Sequence, residues 1–434
     1  MARAMKDSGI EWIGEIPEGW GTNTAFQIFT QVKNKNEGLK EQNLLSLSYG
    51  KIKRKSIETV GGLLPENFDG YNIIEADDIV LRLTDLQNDQ KSLRVGISPE
   101  RGIVTSAYLT LRNRSTSLPE YLYYYLHAFD ISKGFYGMGA GVRQGLNWDG
   151  LKWLKILTPP VPEQEKIVSF LDAECARIDA VIEQTRASIE EYKKLKQSVI
   201  TQAVTKGIRP GRKMKDSGVE WIGVVPEEWA IIRLQHIAAA IESGTSVNAG
   251  QAAASVGELG VLKTSCVSRF VFLPEENKSV NKDEENRVSC PVRKNTIIVS
   301  RMNTPELVGA CGYVSQDYDN LFLPDRLWQV HFKPNTNVKY IYYWLRSACV
   351  RNYYSSLAVG TSSSMQNISQ DQFYHACCPF PAAEEQKEIV AFLDEKCNSI
   401  DFLIDMKSKF LAELESYKKS LIFEYVTGKK EVPK

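Results

Sequence analysis

The chain carries nearly the same opening segment twice, and each copy leads into the same long helical pattern. Residues 5–20 read MKDSGIEWIGEIPEGW and residues 214–229 read MKDSGVEWIGVVPEEW, with 12 of 16 positions identical at an offset of 209. Residues 163–172 (EQEKIVSFLD) and 385–394 (EQKEIVAFLD) share 7 of 10 positions at an offset of 222. Two units of about 200 residues are too few and too long for a solenoid or propeller. They imply a duplicated module with internal pseudo-twofold symmetry. Such symmetry in one polypeptide suits a protein that holds two similar partners, or two sites on one symmetric ligand.

The long helices are the most regular feature. After Pro162, apolar or mild residues fall at Leu171, Cys175, Ile178, Ile182, Thr185, Ile189, Tyr192 and Val199. The alternating spacing of four and three is a heptad seam. The register recurs at Leu393, Cys397, Ile400, Ile404, Lys407, Leu411, Leu414 and Leu421, each offset by 222. Gly207 and Gly428 suit helix stops, since glycine takes the left-handed C-terminal position. Each helix spans roughly 40 residues, or about 60 Å. Two equivalent stripes in one chain pair most simply with each other. The pseudo-twofold makes that pair antiparallel, a rigid rod with a globular module near each end.

The predicted organisation is therefore α+β: two pseudo-symmetric mixed α/β modules separated by two long antiparallel coiled-coil helices. The boundaries are 1–160 for the first module, 161–207 for the first spacer helix, 208–382 for the second module and 383–430 for the second helix. Asp78–Arg82 and Thr296–Ser300 read as buried strands of matching position. Tyr121–Leu126 and Tyr340–Leu345 read as short helices with an aromatic face, which bare physics places in the core. The growth of the offset from 209 to 222 puts a net 13 extra residues in the second module. A shared scaffold with a different variable surface implies related tasks on different targets.

Composition excludes several classes. Hydrophobic content of 43% with 24% charged residues is globular, and no apolar run reaches membrane-span length. The N-terminus lacks an apolar segment of the secretory type, so a cytoplasmic location is expected. The eight cysteines form no metal or disulfide pattern. No catalytic, cofactor or metal site is predicted in this chain. The four histidines sit beside no nucleophile motif, and the Walker A and G-x-S-x-G patterns are absent. Residues 135–141 (FYGMGAG) imitate a methyltransferase F-x-G-x-G loop. They follow no strand pattern, and the N/D-P-P-Y/F partner motif is missing, so a flexible loop presenting Arg143 and Gln144 is the better reading.

The formal net charge is zero. DNA binding survives that value because the local field matters more than the total, but a strong grip then needs a partner. Arginine and glutamine are the side chains shaped for bidentate contacts to guanine and adenine. Arg143 and Gln144 sit in a glycine-rich stretch, and the matching stretch of copy two offers the hydroxyls of Ser362 and Ser363. Lys51, Lys53, Arg54 and Lys55 form a basic run of the phosphate-contact type. Arg82, Arg94 and Arg301 lie at or past strand ends, and Lys263, Arg269 and Asn303 complete the candidate DNA-binding set. For any one of them the alternative is an ordinary salt-bridged surface charge.

The whole pattern resembles the specificity subunit of type I restriction–modification systems. The resemblance rests on the paired K-D-S-G-x-E-W-I-G-x-x-P-x-x-W openings, on Pro159–Gln164 and Pro379–Gln386 leading into long helices, and on Ala203–Gly207 and Tyr425–Lys429. It implies two target-recognition domains, each reading half of a split asymmetric sequence in double-stranded DNA, with the helices fixing the gap. It implies a non-catalytic chain. Two modification subunits carrying S-adenosylmethionine, and two restriction subunits using ATP and Mg, would supply the chemistry. The other readings are a specificity subunit of a methylation-only or other defence complex, a protein scaffold without DNA contact, and a self-contained methyltransferase.

Overall fold

The protein is described by a computed structural model covering residues 3–56, 68–86, 89, 92–139, 145–362 and 365–433. It forms two compact units, Met1–Arg186 with Lys409–Lys434, and Ala187–Ser408. Both units are assembled from distant parts of the chain, because each takes one half of each long helix.

In the first unit a four-stranded antiparallel sheet is built from β1 (Phe29–Gln31), β4 (Ile79–Leu81), β5 (Val95–Ile97) and β6 (Leu109–Asn113), in the order β1-β6-β4-β5. Between β1 and β4 lies the hairpin β2 (Leu45–Ser48) and β3 (Lys51–Arg54). Helix α1 (Pro119–Ile131) covers the sheet, and α2 (Val161–Lys206) begins soon after. The second unit repeats the sheet with β7 (Ala238–Ser243), β8 (Thr296–Ser300), β10 (Cys311–Val314) and β11 (Leu327–Phe332), in the order β7-β11-β8-β10. A short strand β9 (Met302–Asn303) follows β8, and helices α3 (Val338–Leu345) and α4 (Ala348–Leu357) follow the sheet. Then come β12 (Val359–Ser362), β13 (Met365–Asn367) and α5 (Ala383–Val426).

The two sheets match pair by pair. Leu111 faces Ile79 as Val330 faces Ile297, and Leu81 faces Val95 as Val299 faces Cys311. The central strands β4 and β8 are buried throughout, as their unbroken apolar runs predict. The second unit adds a further four-stranded sheet with its own core around Leu262, Cys266, Val267 and Leu321.

The duplicated motifs have one structural meaning in both units: they seat the long helices. Glu163 opens α2, where a carboxylate meets the positive end of the helix dipole. It accepts the Trp20 indole N–H at 2.9 Å and pairs with Arg3 at 2.5 Å, and the Arg3 guanidinium lies 5.5 Å over the Trp20 ring. Glu385 of α5 accepts from Trp229 at 3.1 Å and pairs with Arg212, which lies 5.7 Å over Trp229. The next residue ties the preceding prolines down: the Gln164 amide donates to the Pro159 carbonyl at 2.8 Å and that of Gln386 to Pro381 at 2.9 Å. Two turns on, Asp172 accepts the Tyr124 hydroxyl at 2.7 Å and Asp394 that of Tyr343 at 2.6 Å. Burial, with the carboxylate beside them, pushes both phenols far above their usual range.

The helix ends are equally matched. Carbonyls of the last turn have no partner within the helix. The Tyr121 hydroxyl donates to the Val426 carbonyl at 3.1 Å in the first unit; in the second the Tyr340 hydroxyl donates to the Pro379 carbonyl at 2.8 Å and lies 3.4 Å from that of Val204. Gly207 and Gly428 follow with φ of 75° and 72°. A Cβ on Gly428 would stand 2.5 Å from Pro17 Cδ, so close approach as well as backbone hand requires glycine there.

The helices are antiparallel in each unit. Asp179 pairs with Lys418 at 2.6 Å and Arg186 with Glu415 at 2.9 Å in the first, and Lys196 pairs with Asp401 at 2.5 Å in the second. The predicted seam is buried from Leu171 to Ile189 and from Leu393 to Ile400, but Ile404, Lys407, Leu411 and Leu414 are only half-covered. Lys407 occupies a seam position by laying its ammonium 5.8 Å over the Tyr192 ring.

Candidate nucleic-acid interface

In the first unit the basic run falls on β3, the exposed strand of the hairpin, and on Lys55 just past its end. Two of its members are committed. Arg54 Nε donates to Glu100 at 2.5 Å, and this pairing holds Glu100 below the usual carboxylate range. Lys51 lies 3.4 Å from Asp179. Lys53 and Lys55 are exposed with no side-chain partner among the described residues. Replacing both with alanine is expected to weaken DNA binding evenly across sequences. It should also lower the slope of log affinity against log salt by about 2, one counterion per phosphate contact. A salt titration of the assembled complex on a fluorescent duplex checks this; an unchanged slope removes both lysines from the interface.

Arg82 and Arg94 part company. Arg82 is 39% exposed at the end of β4, with a loose 3.8 Å approach to Asp89. Arg94 was expected at the surface and is instead 0% exposed. Its guanidinium donates to the carbonyls of Arg82 (3.0 Å), Thr84 (2.9 Å), Asp85 (3.4 Å) and Asp89, and to the Tyr136 hydroxyl at 3.2 Å. Its backbone N–H donates to the buried Asp130 carboxylate at 2.6 Å. Desolvation raises Asp130 to about 6. Arg94 is thus an internal tie and presents nothing to a ligand.

The glycine-rich stretch splits. Phe135 is buried in a 3₁₀ turn over Gly134–Gly137 and packs 4.8 Å from Phe129. Arg143 and Gln144 lie outside the described residues, as does Ser363.

The second unit gathers its candidates. Arg301 and Asn303 leave the end of β8, and β9 joins β13 and β12 in a three-stranded sheet of order β9-β13-β12. There Asn303 faces Gln366, and Ser362 faces Met365 at the far edge. The Arg301 guanidinium has no partner among the described residues, and its Nε is buried without one. Its backbone N–H donates at 3.2 Å to Arg326, whose own guanidinium is exposed and unpaired among the described residues. Sequence reading passed over Arg326, although the turn Pro324-Asp325-Arg326 ahead of β11 is a recognisable loop-tip position. Arg269 is exposed and likewise unpaired. Its neighbour Phe270 lies under the Arg351 guanidinium at 4.8 Å, which brings that segment against the loop after β8. Lys263 stands apart, 3.9 Å from Glu276.

These side chains suit binding rather than catalysis. Lys53, Lys55, Arg269, Arg301 and Arg326 are cations without a side-chain partner among the described residues, on strands, strand ends and turns, the kind of group that meets base edges and phosphates. Among the described residues no group of three or more His, Cys, Asp or Glu is placed to hold a metal, and no helix is long and apolar enough to cross a membrane.

The family described as Type I restriction modification DNA specificity domain matches residues 17–191 and 226–415. The chain is 26% identical over 336 residues to the type I restriction enzyme MjaVIII specificity subunit of Methanocaldococcus jannaschii, covering 76% of this chain and 75% of that protein. It is 25% identical over 442 residues to the MjaX specificity subunit of the same organism, covering 96% and 95%. A solved chain from a study of complex assembly and conformational transition of the type I R-M system superposes with a TM-score of 0.66 at 15% identity, covering 95% of this chain and 98% of that one.

Proposed function

This chain belongs to the type I restriction modification DNA specificity family, and from that premise we propose that its two modules read the two halves of a bipartite, asymmetric DNA site. The observation that carries this reading is the contrast between frame and surface. The motifs that seat the helices are the same in both units, whereas the unpaired cations differ: exposed Lys53 and Lys55 on a hairpin in the first, exposed Arg269 and Arg326 with half-buried Arg301 in the second. One frame with two reading surfaces is what two unlike half-sites demand.

The helices then act as a ruler. Their 46 and 44 residues run from one unit into the other. A fixed gap turns two modest half-site affinities into one strong one, because the second half binds at high effective concentration.

The chain itself is non-catalytic in this reading and works in the cytoplasm. Two modification subunits bring S-adenosylmethionine, and two restriction subunits use ATP and Mg. Two features support paired docking. Each unit has an open groove beside its Arg–Glu–Trp clamp, about 1050 Å³ in the first with Phe170 on its wall and about 570 Å³ in the second with the equivalent Phe392. Phe402, Met406, Phe410 and Tyr417 also stand exposed along α5, side chains that a partner helix would cover.

The deciding experiment maps N6-methyladenine genome-wide with and without this gene, its methyltransferase partner being expressed in both. Loss of methylation at one split motif on deletion is expected. An unchanged methylome points to the scaffold reading instead.

A further inference from the structure

The loop that leaves the central strand is held by an arginine in both units, fully buried Arg94 in the first and half-buried Arg351 in the second, and the two arginines are not equivalent. In the first unit Arg94 ties the carbonyls of Arg82, Thr84, Asp85 and Asp89. In the second, Arg351 of α4 donates to the carbonyls of Val308 at 2.8 Å and Glu306 at 2.7 Å while covering Phe270. The strand register makes Ala310 the counterpart of Arg94: the Arg82 N–H donates to the Arg94 carbonyl at 2.9 Å, as the Ser300 N–H donates to that of Ala310 at 2.8 Å. The same support is therefore reached from different places in the chain.

Burying a guanidinium is expensive unless its donors are used. Here they are spent on main-chain carbonyls of one surface loop, where an ordinary core position would hold an apolar side chain. Desolvation, with no carboxylate beside it, lowers Arg351 from its ordinary value. The loops so held carry half-buried candidates beside exposed Thr84 and Glu306. Arg82 and Thr84 belong to the first, and Arg301, Asn303 and Glu306 to the second. Gly309 closes the second loop at φ 72°, and a Cβ there would meet Tyr354 at 2.9 Å and Arg351 at 3.2 Å. The loop fits its support with no room for an added methyl.

We propose that residues 82–86 and 301–309 are the specificity-determining loops of the two half-sites, and that Arg94 and Arg351 are positioning residues that preorganise them. This rests on the bipartite DNA reading above. A loop fixed before binding loses little ordering entropy and holds its side chains to one base geometry, so discrimination rises with rigidity. Lysine in place of either arginine keeps a charge but loses the planar fork that spans several carbonyls.

The test uses the full chain assembled with its methyltransferase partner. Methylation rates are measured on the native split site and on every single-base change in each half. Arg351→Lys is expected to lower discrimination in the second half about 5–150-fold, the range of one lost base preference. The first half and the melting temperature should stay as in the wild type. Arg94→Lys should do the converse. Equal loss in both halves, or full discrimination in both, overturns the proposal. If a lysine variant fails to assemble, Thr84→Ala and Glu306→Ala decide, since these exposed side chains lie outside the arginine's hydrogen bonds; unaltered base preference in both refutes the loops as readers. A wild-type complex that methylates no split motif defeats the bipartite reading itself, a result separate from any of these.

Discussion

Methylation at the native site is expected to fall about 10²–10⁴-fold when four residues are inserted into each long helix, the whole avidity that rigid linkage supplies. One turn lengthens a helix by about 6 Å, close to two base-pair steps. The insertions belong after Glu190 and after Asp405, away from the Arg–Glu–Trp clamps and the Tyr–Asp contacts that seat the helix ends. A four-residue insertion nearly preserves the helical phase, so the seam still meets its partner. The complex should assemble, and activity should reappear on a site whose gap is longer by one or two base pairs. A library of duplexes with gaps varied one base pair at a time measures this. Unchanged preference for the original gap would refute the ruler, and loss at every gap with an intact assembly would place the helices in docking alone.

Arg301→Ala should relax one base position in the second half-site by about 1–3 kcal/mol, the worth of a bidentate guanidinium–guanine pair, and leave the first half unchanged. The expectation rests on the unpaired guanidinium with its buried, unpartnered Nε. An arginine that had settled into an ion pair would not be available in this way; Arg54, bound to Glu100, is the contrast within the same protein. Binding titrations on duplexes with each base of the half-site replaced in turn give the answer. An even loss across all sequences, with a smaller salt slope, would make Arg301 a phosphate contact instead.

Much of the frame was legible because it is written in local periodicity. The heptad spacing marked both long helices, and the apolar runs at Asp78–Arg82 and Thr296–Ser300 marked the central strands. The aromatic stripes of Tyr121–Leu126 and Tyr340–Leu345 are helical and buried in the structure, as their clustering required. The candidate site was legible only in part. An arginine at a strand end looks the same in sequence whether it turns outward, like Arg82, or inward, like Arg94. Nothing in residues 348–357 signals that Arg351 will reach the carbonyls of Glu306 and Val308.

The sequence alone therefore determined the duplication, the two antiparallel helices and the family to which the chain is matched, since repeats and spacing survive without knowledge of contacts. Only the tertiary structure decided what the repeated motifs are for. Glu163 meets Trp20 across 143 positions of chain and Tyr121 reaches Val426 across 305. It also decided which cations are free, because hydrogen-bond and ion-pair partners are chosen by proximity in the folded chain, and that proximity has no period to read.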